Sequence, residues 1–224
     1  MKSQAKSSLG LIKFRHKQLT VLCLGAHSDD IEIGCGGTLL RLLQDHPEST
    51  VVWVVFSARG PRKQEALKSA RALLHDAGTI RIITKTYKES FFPYHGEIIK
   101  KCFEGLKATV SPDLIFTHYR EDLHQDHRII SELTWNTFRK HQILEYEVPK
   151  YDGDLGRPNF YVPLTTNYAQ EKVAVLMRVF ATQQIRPWFS EDTFFSLMRL
   201  RGVEANSSEK HAEAFYARKV ILAG

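Results

Sequence analysis

Four short apolar runs, each ending in a polar or glycine-containing stretch, set the rhythm of the first half of the chain. Residues 21–24 (VLCL), 51–56 (VVWVVF), 80–83 (IRII) and 114–116 (LIF) have the length and the β-branched or aromatic content of buried strands. The continuous run at 51–56 suits a central strand covered on both faces. Between these runs the apolar spacing turns helical: over 38–43, over 62–77 through Ala66, Leu67, Ala70, Leu73 and Leu74, and over 98–106. Gly78 is the expected C-cap of the second of these helices. Gly34, Gly36 and Gly37 read as a glycine-rich turn after the first strand, and residues 91–96 as an aromatic loop.

Further along, a helix is expected over 129–138 and strands over 143–146 and 160–162, with the turn-rich YDGDLGRPN between them. Helices are expected over 173–180, 193–200 and 209–222. Strand and helix alternate for over a hundred residues, which predicts an α/β fold: Rossmann-like, a mostly parallel sheet with helices on both faces and right-handed crossovers. No repeat, low-complexity segment or domain boundary interrupts the pattern. One domain spanning residues 1–224 is the expectation, with 1–17 as a basic tail.

Composition narrows the class without choosing a function. Of the 224 residues, 43% are hydrophobic and 25% charged, the profile of a globular protein. The longest strongly apolar run, 51–56, is far too short to span a bilayer, and the basic N-terminal segment lacks the apolar stretch of a secretory signal. Cys23, Cys35 and Cys102 are too few and scattered for a disulfide framework, so a reducing cytoplasm is expected. The net charge of +6 is spread along the chain, and no nucleic-acid motif appears. No nucleic-acid partner and no membrane span are therefore expected; a homo-oligomer remains open.

Chemistry gathers in two places. His27, Asp29 and Asp30 follow the first strand, and His118, Asp122, His124, Asp126 and His127 follow the strand at 114–116. In an open parallel sheet, ligands bind outside the carboxyl ends of the strands. Carboxylates and a histidine there are costly to desolvate unless a cation holds them. One strand end with His and Asp and another with His-x-x-His can supply two histidines and a carboxylate, with a coordination position left for water. Spacing alone leaves open whether His124 or His127 is the ligand.

The segments AHSDDIEIGCGGTL and HQDH resemble those of the PIG-L/LmbE-like de-N-acetylases. So do ARGPRKQEALKSARALL and the terminal RGVEANSSEKHAEAFYARK, in the same order, so the resemblance extends over nearly the whole chain after residue 17. Ser28 departs from the family, which usually has proline there; no ligand is lost. The resemblance implies a Rossmann-like, metal-dependent hydrolase that removes acetyl from N-acetylglucosamine-type sugars. It assigns the metal to His27, Asp30 and His127, with Zn2+ as default and Fe2+ as the alternative that the same donors suit. It makes Asp29 the general base and His124 the group that faces the tetrahedral oxyanion and can also protonate the leaving amine, a protonated histidine whose pKa Asp126 is expected to raise. Arg62 best matches a sugar-contacting arginine. Arg59 and Arg120 are expected substrate contacts, as are His118 and Asp122 on a loop, while Glu32 is expected to face away. The substrate is thus a small amino sugar, with the basic balance favouring one that bears phosphate or a nucleotide. An amidase of a thiol-sugar conjugate and a non-catalytic nucleotide-binding module are the rivals, the latter lacking the G-x-G-x-x-G spacing.

Overall fold

The computed structural model describes Phe14 and residues 18–220; the expected N-terminal tail lies, Phe14 and the described residues near 18 apart, outside them. A seven-stranded sheet carries the molecule, in the order β3-β2-β1-β4-β5-β7-β6. Strands β1 (Thr20–Gly25), β2 (Thr50–Val55), β3 (Thr79–Thr84), β4 (Leu114–His118) and β5 (Gln142–Tyr146) run parallel. Strand β7 (His211–Tyr216) pairs antiparallel with both β5 and β6 (Phe160–Leu164). The helices are α1 (Asp30–Asp45), α2 (Gly60–Leu73), α3 (Gly96–Thr109), α4 (Gln125–Thr137), α5 (Thr166–Val179) and α6 (Glu191–Glu204).

Period-two alternation in the central strands feeds two cores. Val21, Cys23, Val51, Trp53 and Val55 face Leu39, Ala70, Val173 and Phe194 on the side of α1, α2, α5 and α6. Leu22, Leu24, Val52 and Val54 face Ile99, Phe103 and Ile130 on the side of α3 and α4. Both faces are covered, which is why these strands read as unbroken apolar runs. The chain leaves β1 toward β2 and β3, then crosses back to β4 on the other side of β1. The carboxyl ends of β1 and β4 therefore form the topological switch point where such sheets bind ligands.

Three expectations are corrected. Residues 209–222 were expected as a helix, yet 211–216 form β7. Alanine and glutamate favour helix locally, but the open edge of β5 recruits the segment, and its alternation puts Phe215 against the core. The glycine-rich turn is part of α1, with a kink at Cys35 (φ −143°, ψ 15°). Its glycines serve close approach: a Cβ on Gly34 would lie 2.1 Å from the Tyr146 ring, and one on Gly37 2.5 Å from Leu164. Gly78 does not cap α2, which ends at Leu73; a Cβ there would meet the Glu48 backbone at 2.9 Å.

The kink has its own caps. Lys172 Nζ donates to the Ile33 carbonyl (2.6 Å), and the Glu213 carboxylate accepts from the N–H groups of Gly37 (2.9 Å) and Thr38 (2.6 Å). The backbone groups freed by the bend are thus satisfied by a buried ion pair, 2.6 Å between Lys172 and Glu213.

Candidate active site

The first turn of α1 and the start of α4 face each other across the switch point. His27 Nδ1 and His127 Nε2 are 3.2 Å apart. Asp30 Oδ2 lies 3.5 Å from His27 Nδ1, and Asp30 Oδ1 lies 3.5 Å from His127 Nε2. Zinc bonds of about 2.0–2.1 Å at tetrahedral angles separate neighbouring ligand atoms by about 3.3–3.4 Å. Each pair of donors thus has the spacing of neighbouring ligands on one cation, with Asp30 meeting the two imidazoles through different oxygens.

Each histidine is backed by a carboxylate on its far nitrogen. His27 Nε2 lies 3.1 Å from Asp126 Oδ2, and His127 Nδ1 lies 2.9 Å from Asp122 Oδ2. This arrangement fixes tautomer and ring orientation in metal-ligating histidines. Asp122 is further held by Lys150 at 2.9 Å; its burial is outweighed by His127 and Lys150, which keep its carboxyl well below the usual range. His118 Nε2 sits 3.2 Å from Asp30 Oδ2, and its ring stacks on His127 at 3.9 Å between centroids. Two overlapping donor groups come within 4.8 Å among the described residues: His27, His124 and His127, and Asp30, His118 and His127. Neither holds the whole expected set: Asp30 is missing from the first and His27 from the second.

Burial would lower the His27 pKa, but Asp30 and the hydrogen bonds to Asp126 and Asp30 outweigh it and raise it to about 10. Without a metal, His27 is itself the cation of the cluster. Burial, with His118 beside it, pushes His127 down to about 3, so that ring is neutral and offers a lone pair.

Asp29 precedes α1 but makes no capping bond. Arg62 Nη2 instead donates to its Oδ1 at 2.8 Å. Burial raises the Asp29 pKa and Arg62 opposes the rise. His124 is the N-cap of α4, its Nδ1 accepting from Asp126 N at 3.2 Å. Burial, reinforced by the His27 charge, lowers the His124 pKa even though Asp126 pulls the other way. Asp126 does raise the His124 pKa as expected, but burial and the His27 charge outweigh it, so the protonated His124 that was expected is not favoured. Asp126 is fully buried and spends its oxygens on His27, Ser90 N (2.6 Å) and Phe92 N (3.1 Å).

The outer residues divide. Arg59 and Arg62 line one cleft with Ser57, Lys88 and Glu89. Arg120 is exposed; its N–H donates to Glu145 Oε2 (3.0 Å), and among the described residues no bond joins it to the cluster. His118 is not on a loop but closes β4, wholly buried, and Asp122 is 2% exposed, so both position the cluster rather than meet substrate. Glu32 does not face away: it is buried in α1, takes a hydrogen bond from Ser69, and burial pushes its carboxyl well up. Sequence reasoning missed Tyr146 and Lys150. Tyr146 donates to the Leu24 carbonyl (2.7 Å) beneath Gly34 and sets the height of the first turn of α1; no motif marks it.

A switch-point His/Asp cluster on a doubly wound sheet defines a class of candidate metal sites, not one chemistry. The particular family follows from the chain itself: the model of the GlcNAc-PI de-N-acetylases (PIG-L) matches residues 22–138, and the chain belongs to that family. It is 27% identical over 151 residues to the uncharacterized deacetylase YaiS of Escherichia coli (strain K12), covering 62% of this chain and 79% of YaiS. Among solved structures it is similar to the N,N'-diacetylchitobiose deacetylase of Pyrococcus horikoshii (TM-score 0.63, 22% identity, 88% of this chain and 82% of that one). It is also similar to GalB, the 4-carboxy-2-hydroxymuconate hydratase of Pseudomonas putida KT2440 (TM-score 0.73, 15% identity, 92% of this chain and 98% of that one). A deacetylase and a hydratase share the architecture, so the fold alone does not select the reaction.

Proposed function

We propose that this chain hydrolyses the N-acetyl group of an N-acetylglucosamine-type amino sugar or its conjugate, releasing acetate and a free amine. The observation that carries the reading is the convergence of His27 Nδ1 and His127 Nε2, 3.2 Å apart, on the Asp30 carboxylate, whose Oδ2 lies 3.5 Å from His27 and whose Oδ1 lies 3.5 Å from His127, beside a carboxylate that is not one of them. These three residues would hold a divalent cation, zinc by default and ferrous iron as the alternative. Such an ion supplies Lewis-acid polarisation of the amide carbonyl and acidifies water.

The remaining roles belong to the chain's own side chains. Asp29 accepts a proton from the attacking water; Arg62, on Oδ1, fixes which way its carboxylate faces. His124 presents Nε2–H, because its Nδ1 is already the acceptor for Asp126 N. A neutral imidazole N–H meets the charge that grows on the acetyl oxygen, a contribution commonly of about 3–4 kcal/mol. When the C–N bond breaks, the amine needs a proton. A neutral His124 has no spare one, so Asp29 returns the proton it took. Asp126 acts by holding His27 and the 90–92 backbone. The free thiols Cys23, Cys35 and Cys102 fit a cytoplasmic setting.

The test is acetate release from a panel of N-acetylglucosamine conjugates, with free amine from a thiol-sugar amide and hydration of a muconate-type alkene followed alongside, and metal content measured in parallel. Asp29→Ala is expected to keep bound metal and lose at least about a hundred-fold in turnover, whereas His127→Ala loses the metal. Near-wild-type turnover by Asp29→Ala would sink the base assignment.

A further inference from the structure

Beside the candidate catalytic carboxylate, between the β2–α2 loop and the segment after β3, lies a cleft of about 180 Å3 lined by Ser57, Arg59, Arg62, Lys88 and Glu89. Its charges are unevenly spent. Arg62 is committed to Asp29 (2.8 Å). Glu89, the one acid of the lining, acts electrostatically on Arg62 and His27. Arg59 and Lys88 have no ion-pair partner within 4.0 Å among the described residues.

Both of those cations are nonetheless held in place. Arg59 Nε donates to the Thr86 carbonyl at 2.8 Å and its Nη2 to the same oxygen, leaving the Nη1 edge of the fork open. Lys88 Nζ sits 3.5 Å above the centre of the Phe91 ring. A carbonyl and an aromatic face position a cation without neutralising it. The loop carrying Lys88 is anchored as well: the N–H groups of Ser90 and Phe92 donate to Asp126, and Ser90 stands at φ +66°, a conformation that non-glycine residues adopt only when their surroundings impose it. The first turn of α2 contains no acidic residue to offset these charges. Two held positive charges without an ion-pair partner, against the single Glu89 carboxylate of the lining, make the cleft a candidate anion subsite next to the proposed site of amide hydrolysis, and an open guanidinium edge suits phosphate oxygens.

We propose that this cleft binds a phosphate group of the substrate, so that the amino sugar acted on is a sugar phosphate. The proposal rests on the deacetylase reading for the word substrate, and its test is built to stand apart from that reading. The probes are glucosamine, glucosamine 1-phosphate, glucosamine 6-phosphate and inorganic phosphate, none of which can be deacetylated, titrated calorimetrically into metal-loaded wild type and into Arg59→Ala/Lys88→Ala. One sugar phosphate should bind at least about ten-fold tighter than glucosamine. That advantage should shrink to below about three-fold in the double variant, and it should fall between about 0.05 M and about 0.5 M salt. Three results overturn the proposal: both sugar phosphates within about three-fold of glucosamine or no binding at all, an advantage that survives the double variant, or inorganic phosphate binding as tightly as the sugar phosphates. Acetate release from the N-acetylated forms of the same sugars is measured separately. Its complete absence would remove the deacetylase reading, while the calorimetry still decides whether the cleft prefers a sugar phosphate.

Discussion

At the residue scale, the cluster works because each imidazole has two different neighbours. His127 turns Nδ1 to Asp122 and Nε2 to the shared point, and His27 does the same with Asp126 behind it. Asp122→Asn keeps the shape but replaces a charge by an amide, which weakens the hold on the His127 tautomer. Metal affinity, read by competition with a chelator, should drop by about 10–100-fold; unchanged affinity would remove Asp122 from the positioning shell. Gly34 matters for a different reason. Gly34→Ala drives a methyl into the Tyr146 ring, 2.1 Å away, and overpacking of this kind costs about 1–3 kcal/mol, visible as a lowered urea midpoint.

At the scale of elements, α1 is two helical pieces joined at Cys35, and the joint is closed from elsewhere in the chain. Lys172 on α5 and Glu213 on β7 satisfy its freed backbone groups while pairing with each other, and both are nearly inaccessible at 3% and 4% exposure. Lys172→Met leaves Glu213 buried without a counter-charge, a change expected to cost about 3–5 kcal/mol in urea unfolding. Lys172→Met/Glu213→Gln removes both charges and should recover part of that loss. A double variant no better than the single would mean the two residues do not act as a pair. Because the first piece of α1 carries Asp30, loosening the joint should also weaken metal binding.

Over the whole molecule, stability and metal loading share one titrating group. In the metal-free chain the pKa of folded His27 is raised to about 10, against about 6.5 for an ordinary histidine. A raised pKa means the folded state binds the proton more tightly, so the stabilisation is full below about pH 6.5 and is lost as pH climbs toward about 10. Chelator-treated protein should thus lose stability across that window, and added metal, which displaces the His27 proton, should restore more of it at the alkaline end. A flat urea midpoint from pH 6.5 to 10 would remove His27 as the linked group.

What the chain determines on its own is local and chemical. The apolar runs of 51–56 and 114–116 are legible as buried strands because both faces of a parallel sheet are covered, and the polar clusters after residues 25 and 118 mark the carboxyl ends of β1 and β4, where such sheets place their ligand sites. Family resemblance in HSDD and HQDH was readable for the same reason, since both motifs are short and continuous. Contacts between distant segments are another matter. Nothing near residue 213 says that HAEAFY will be a strand, because its own propensity is helical and the decision comes from the free edge of β5. The turn that Gly34, Gly36 and Gly37 suggested became a helix once Tyr146, Leu164 and Glu213 closed around it. Asp126 could be assigned to His124 by adjacency, yet it serves His27, 99 residues away. Local sequence specifies which groups can do chemistry and where strands begin and end; only packing in three dimensions decides which of those groups meet, because burial rewards the arrangement that satisfies every polar atom at once.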